Sequence, residues 1–221
     1  MAVNRPDRLV VVLGTATEVG KTWVGCRLAE ALRAARVAVA ARKPAQSWDP
    51  AERAAGAPTD AELLAAATGA KPDDVCPPHR SYPAALAPPM AADRLGRPAV
   101  HLADLVEELR WPAGVEVGLV EGAGGVRSPL AHDADGVALA RHLGVDLVVL
   151  VADAGLGTIH AVRSATDALR PLPTVVVLNR YDRGDALHAA NRAWLTERDG
   201  LLVVVDGAEL AAVVRPPSPG R

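Results

Sequence analysis

Apolar residues along this chain recur in two rhythms, and the two alternate. The unbroken apolar run over 9–13 (LVVVL) ends at a glycine and predicts a buried strand. Over 21–35, Val24, Leu28, Ala31 and Leu32 fall on one face at helical spacing and predict an amphipathic helix. A second strand is predicted over 37–41, ending at Arg42-Lys43-Pro44. Asp60 opens a short helix with Leu63 and Leu64 on its apolar face and Gly69 to close it. The stretch 77–98 carries six prolines, which predicts a long functional or disordered connection. Helical spacing returns over 101–110, 136–142, 158–169, 186–197 and 208–214. Strand-like runs fall at 115–120, 146–151, 174–178 and 201–205.

Strands that alternate with helices predict an α/β fold with a mostly parallel sheet of about seven strands and helices on both faces. The expectation is a single domain over 1–214, followed by a disordered tail, RPPSPGR, over 215–221. In such sheets ligands bind beyond the carboxyl ends of the strands. The loop after Leu13, Lys43, Glu121, the stretch 153–158 and Asn179 all fall there.

Composition narrows the partners. Half of the 221 residues are apolar, mostly Ala, Val and Leu, with no Phe, so the core is built from small side chains. The net charge of −2 gives no reason to expect nucleic-acid binding. The first apolar run is too short for a signal peptide, and no segment has the length to span a membrane. Cys26 falls on the first predicted helix and reads as core; Cys76 has no assigned role. A reduced, cytoplasmic setting accounts for both.

The candidate chemistry starts at LGTATEVGKT, residues 13–22. A strand, a loop and a helix beginning at Gly20-Lys21-Thr22 form an anion cradle from backbone N–H groups and the helix dipole. Lys21 would neutralise terminal phosphates and the Thr22 hydroxyl would ligate Mg²⁺. The spacing is unusual: five residues, not four, separate Gly14 from Gly20. Lys43 reads either as a second cation on a transferred phosphoryl group or as a solvated lysine. Asp60 reads either as a helix cap or as a metal ligand. Glu121, in LVEGAGG, is a strand-end carboxylate before a close backbone approach, and a cation would explain it. His160 and Arg127 are substrate-contact candidates; a lone His is more often a surface or capping residue.

These segments, taken together, carry a resemblance. GTATEVGKT, KPAQS, TDAELL, LVEGAGG followed by SPL, LGTIHA and VLNRYD occur in the order expected of dethiobiotin synthetases, from about residue 9 to 205. The five-residue spacing is shared with that family. The resemblance implies a P-loop NTPase-like ligase that uses ATP and Mg²⁺ and forms homodimers in the cytoplasm. It implies that 7,8-diaminopelargonic acid takes up CO₂ as a carbamate, that ATP phosphorylates the carbamate, and that the second amine closes a ureido ring in biotin biosynthesis.

The resemblance implies catalytic roles for Lys21, Lys43, Thr17 and Ser47. It implies nucleotide contacts from Thr15, Glu18, Val19, Gly20, Lys21, Thr22, Glu121, Gly122, Gly124, Gly125, Asn179 and Asp206. The metal set is Thr22, Asp60 and Glu121. The substrate set is Ser47, Gly157, Thr158 and His160, the last three lying near the dimer interface. The chain departs from the family pattern at His160-Ala161, at Pro89 and at Trp48. Two alternatives stand beside this reading. One is a paralogue with a different amine or carboxylate substrate. The other is a switch-type ATPase, which usually has a lysine where this chain has Ala16.

Overall fold

The computed structural model of the chain describes residues 5–216. Its first elements are β1 (Arg8–Gly14), α1 (Lys21–Ala34), β2 (Val39–Arg42), β3 (Gln46–Ser47), α2 (Pro50–Ala54), α3 (Asp60–Thr68) and α4 (Pro72–Val75). There follow β4 (Ser81–Tyr82), α5 (Pro88–Arg94), α6 (Leu102–Glu108), β5 (Val117–Gly125), β6 (Pro129–Ala131) and β7 (Ala134–Asp135). The chain continues through α7 (Gly136–Leu143), β8 (Leu147–Asp153), α8 (Thr158–Leu169), β9 (Thr174–Asn179), α9 (Ala186–Ala193), β10 (Leu202–Val204) and α10 (Gly207–Val214).

The central sheet has six strands in the order β10-β9-β8-β1-β5-β2, every neighbour parallel. The expected strand count was about seven; the remaining strand pairs form two separate two-stranded sheets, β3-β4 and β6-β7. β1 explains why the layers form. Its side chains alternate between the two faces, and the run has no polar member, so both faces must be covered. Leu9, Val11 and Leu13 join one core with Val137 and Leu139 of α7 and Val162 and Leu169 of α8. Val10 and Val12 join a second core with Val24, Leu28 and Leu32 of α1, Leu64 of α3 and Leu210 of α10. Each such side chain contributes roughly 1.5–3 kcal/mol of burial, and Val10 to Leu13 are at most 1% exposed.

The proline-rich stretch 77–98 is ordered, contrary to one branch of the expectation. It holds a 3₁₀ turn at Pro78–Arg80, then β4 and α5. Proline serves it at helix starts, where the missing N–H costs nothing: Pro78, Pro88 and Pro89 all open helical turns. Of the predicted tail, residues 217–221 lie outside the described residues. Among the described residues no helix is long and apolar enough to cross a membrane. Cys26 and Cys76 are both buried free thiols, and burial pushes Cys26 up to about 11 and Cys76 up to about 12.

Candidate active site

The loop over 14–20 leaves β1 and turns into α1 with two residues in the left-handed region, Glu18 (φ 59°) and Gly20 (φ 90°). Gly20 caps α1, no side chain caps the helix start, and its first turn carries no acid. The opening N–H groups therefore face the loop without a competing anion. β9 holds the loop in place. The Asn179 amide donates to the Val19 carbonyl at 2.9 Å, and the Arg180 guanidinium donates to the Glu18 carbonyl at 2.8 Å. Asn179 packs so closely that a Cβ on Gly20 would lie 2.1 Å from its Nδ2. Thr15 N–H donates to the Val151 carbonyl of β8 at 2.9 Å.

Four side chains from four elements meet below this loop. Thr22 Oγ1, in the first turn of α1, lies 2.9 Å from Asp60 Oδ1 and 2.8 Å from Glu121 Oε1. Lys43 Nζ, just past β2, pairs with Asp60 Oδ2 at 2.6 Å and with Glu121 Oε1. Lys43 and Glu121 are each 2% exposed. Glu121 reaches the site from β5, where it is in register with Val12. Asp60 is free to join because Thr59 is the cap of α3. Thr59 and Glu62 form a reciprocal capping box, so the first turn does not need the Asp60 carboxylate. Of the two readings of Asp60, the structure gives the cap to its neighbour.

The electrostatics follow from this packing. The Lys43 ammonium loses hydration on burial, but the two carboxylates more than compensate and hold its pKa above the usual lysine range. Burial is the largest influence on Asp60, yet Lys43 and Thr22 together bring it below the usual carboxylate range. Burial pushes Glu121 up, with Lys43 pulling against it. Lys21 is lowered by burial first and by Lys43 second. Its Nζ lies 3.4 Å from the Ala16 carbonyl of its own loop.

The donor set fits Mg²⁺. The Thr22 hydroxyl has one proton but two carboxylate oxygens within 2.9 Å, so one contact is left without a hydrogen. A hard cation accepts all three oxygens. Among the described residues no group of three or more His, Cys, Asp or Glu gathers to hold a metal.

A cleft of about 660 Å³ opens from this cluster. Thr17, Glu18, Gly20, Lys21, Thr22, Lys43, Ser47, Asp60 and Gly124 line it. Ser47 Oγ is buried without a partner. Gly124 has φ 64°, and a Cβ there would collide with Ser128 Oγ at 2.4 Å. Gly125 N–H already donates to that hydroxyl at 2.8 Å, and Gly122 packs against Leu13.

Other candidates lie elsewhere. Asn179 is buried against the loop, and Asp206 caps α10 through the Ala208 and Glu209 N–H groups. Gly157, Thr158 and His160 begin α8 and do not line the cleft of this chain. Thr158 is buried with an unpartnered hydroxyl, His160 is exposed, and the adjoining Leu156 is 92% exposed. Arg127 pairs with Asp135 at 2.9 Å. Pro89 is buried at the start of α5.

The sequence reading missed Gln46, whose Oε1 accepts from Ala61 N–H at 3.0 Å and whose Nε2 donates to Ser81 Oγ at 3.0 Å. Trp48 Nε1 donates to the same hydroxyl at 3.0 Å. Ser81 thus fixes two residues of the cleft wall from within the proline-rich stretch. Asp49, Glu52 and Leu86 also line the wall. Gln46 sat inside KPAQS, but nothing local pointed to Ser81.

Comparison with known proteins gives three kinds of match. A family model described as an AAA domain matches residues 8–209. ATP-dependent dethiobiotin synthetase BioD of Anaeromyxobacter dehalogenans (strain 2CP-C) is 42% identical over 207 residues, covering 89% of each chain. The protein of the same name from Caulobacter vibrioides (strain NA1000 / CB15N) is 41% identical, covering 79% of this chain and 81% of the other. Among solved structures, the signal recognition particle receptor FtsY from Elizabethkingia anophelis superposes with a TM-score of 0.53 at 13% identity. That match covers 95% of this chain and 65% of the receptor, and at so low an identity it speaks to the fold alone.

Proposed function

The chain belongs to the ATP-dependent dethiobiotin synthetase family, and from that premise we propose how its residues divide the work. It is an ATP-dependent ligase of biotin biosynthesis that forms C–N bonds. The substrate is 7,8-diaminopelargonic acid. One amine takes up CO₂ as a carbamate, the γ-phosphoryl group passes to the carbamate oxygen, and the second amine attacks the mixed anhydride to close the ureido ring and expel phosphate.

No protein nucleophile enters this sequence, so the residues act by positioning and by charge. The N–H groups at the start of α1 and Lys21 hold the β- and γ-phosphates. Lys43 lies between the phosphoryl donor and the carbamate and offsets the negative charge that builds on transfer. Thr22, Asp60 and Glu121 would hold Mg²⁺, which when bound would supply positive charge to offset that of the phosphates. Thr17 and Ser47 donate hydroxyl contacts to the carbamate, and Glu18 flanks them in the loop. Asn179 and the stretch after β10 that begins at Asp206 border the base.

The reading is carried by one observation: the Thr22–Asp60–Glu121–Lys43 cluster opens directly onto a cleft that continues to the unpartnered hydroxyl of Ser47. The substrate carboxylate is assigned to the turn at Gly157, Thr158 and His160 of a second copy in a homodimer. The exposed Leu156 supports this placement. The test is ADP release with Mg²⁺ and bicarbonate, with and without the diamine. Stimulation by the diamine is expected, and its absence would overturn the assignment.

A further inference from the structure

A second groove lies apart from the catalytic cleft. It has a volume of about 750 Å³ and runs along the free edge of β2 from its amino end. Four guanidinium groups border it: Arg33, Arg36, Arg42 and Arg110. Ten other arginines form ion pairs among the described residues; none of these four does. The single acid on the groove wall is Asp74.

Arg42 is the unusual member. It is only 8% exposed, yet no carboxylate lies within ion-pair distance. Its Nε donates to the Arg110 carbonyl at 2.7 Å and its Nη1 to its own neighbour, the Ala41 carbonyl, at 2.6 Å. Its guanidinium carbon lies 5.1 Å from the centre of the Trp111 ring. Neutral carbonyls and an aromatic face replace only part of the hydration a buried cation gives up. Burial accordingly lowers its pKa, with only Asp74 opposing. A buried charge usually has a paired counter-ion; here Asp74 stands beyond ion-pair distance, and three exposed arginines surround the opening.

We propose that this groove binds a small anion bearing two or more clustered oxyanion groups, phosphoryl or carboxylate, with Arg42 as its buried anchor and Arg36 and Arg110 as its outer clamp. The guanidinium fork suits both groups through paired N–H donors. The site is separate from the nucleotide cleft, but it is adjacent in the chain: Arg42 is followed by Lys43, so the two buried cations are consecutive residues at the end of one edge strand.

The test is an amide NMR titration of the full chain with inorganic pyrophosphate and, separately, with tricarballylate. The expected result is saturable movement of the Trp111 indole N–H and of the amides over 36–42 at millimolar concentration or below. Tighter binding of pyrophosphate would identify phosphoryl recognition, and tighter binding of tricarballylate carboxylate recognition. The double variant Arg36→Ser/Arg110→Ser changes two exposed side chains and keeps the Arg110 carbonyl that anchors Arg42. It should weaken the response at Trp111 at least tenfold while ADP affinity stays unchanged. Shifts confined to the loop over 14–22, or a Trp111 response undiminished in the double variant, would overturn the proposal.

Discussion

Replacing Lys43 with methionine removes the cation that is ion-paired with both Asp60 and Glu121. At an effective dielectric constant of about 20, a charge pair at the 2.6 Å Lys43–Asp60 separation attracts by roughly 6 kcal/mol. The Glu121 contact is of similar length, but the desolvation of three charged groups offsets most of both. What remains after removal of one partner is a buried carboxylate without its paired cation, a loss of about 3–5 kcal/mol. For a domain of this size that is roughly 6–20 °C in Tm. The loss has a sign in pH. Without the ammonium, Glu121 rises further above its usual range. A carboxylate raised in the folded state stabilises at pH below its unfolded pKa and loses that contribution as pH rises through the folded value. The deficit against the parent protein should therefore be larger at pH 8 than at pH 5. The parent's Asp60, held low by Lys43, behaves oppositely and loses its contribution only as pH falls below the usual carboxylate range. Urea unfolding of the parent, Lys43→Met and Lys43→Met/Glu121→Gln at both pH values reads all of this, and the double variant should recover about half of the loss. A deficit below about 1 kcal/mol at pH 8, or one equal at both pH values, would refute the reasoning.

Lys21→Ala should keep the far-ultraviolet dichroism of the parent and lose ATP turnover by at least a hundredfold; full turnover would remove Lys21 from the phosphate site. Glu121→Gln should shift the Mg²⁺ titration of ADP release to higher concentration, and an unchanged midpoint would exclude it as a ligand. Gly20→Ala forces a Cβ onto Asn179 at φ 90°, and should cost roughly 1–3 kcal/mol of stability together with ADP affinity; parent-like values of both would show that the loop yields freely. Trp48→Ala opens the cleft wall beside Ser47 and should raise the KM for the diamine several-fold without moving the KM for ATP, as steady-state kinetics will show.

Much of this site was legible because Lys43 and the loop before Thr22 follow strand ends. Lys43 precedes a proline just past β2 and Thr22 opens α1; Glu121, expected at a strand end, stands in the middle of β5, whose glycines continue the strand to Gly125. Parallel strands then bring those ends together whatever the lengths between them. Asp60 was ambiguous because Thr59 and Asp60 are both good caps, and only the reciprocal bond to Glu62 decides between them. Ser81 was not legible. Its role depends on β3 and β4, two-residue strands too short to leave a period, and on prolines that favour several conformations. Arg42 was passed over for a related reason: its neighbour Lys43 held the catalytic signal, and a side chain's burial at a sheet edge depends on a loop, over 110–115, that follows no local pattern.

The bonds from Asn179 and Arg180 to the loop carry a consequence for the order in which the chain matures. They join residues 160 and 162 positions apart. The loop emerges early in synthesis, but the strand that holds its carbonyls emerges late. Until β9 docks beside β8, nothing fixes Glu18 and Gly20 in the left-handed turn, and ATP meets a loop without its nucleotide-binding shape. Nucleotide therefore cannot serve as an early folding template. It stabilises a chain in which β9 has already docked beside β8.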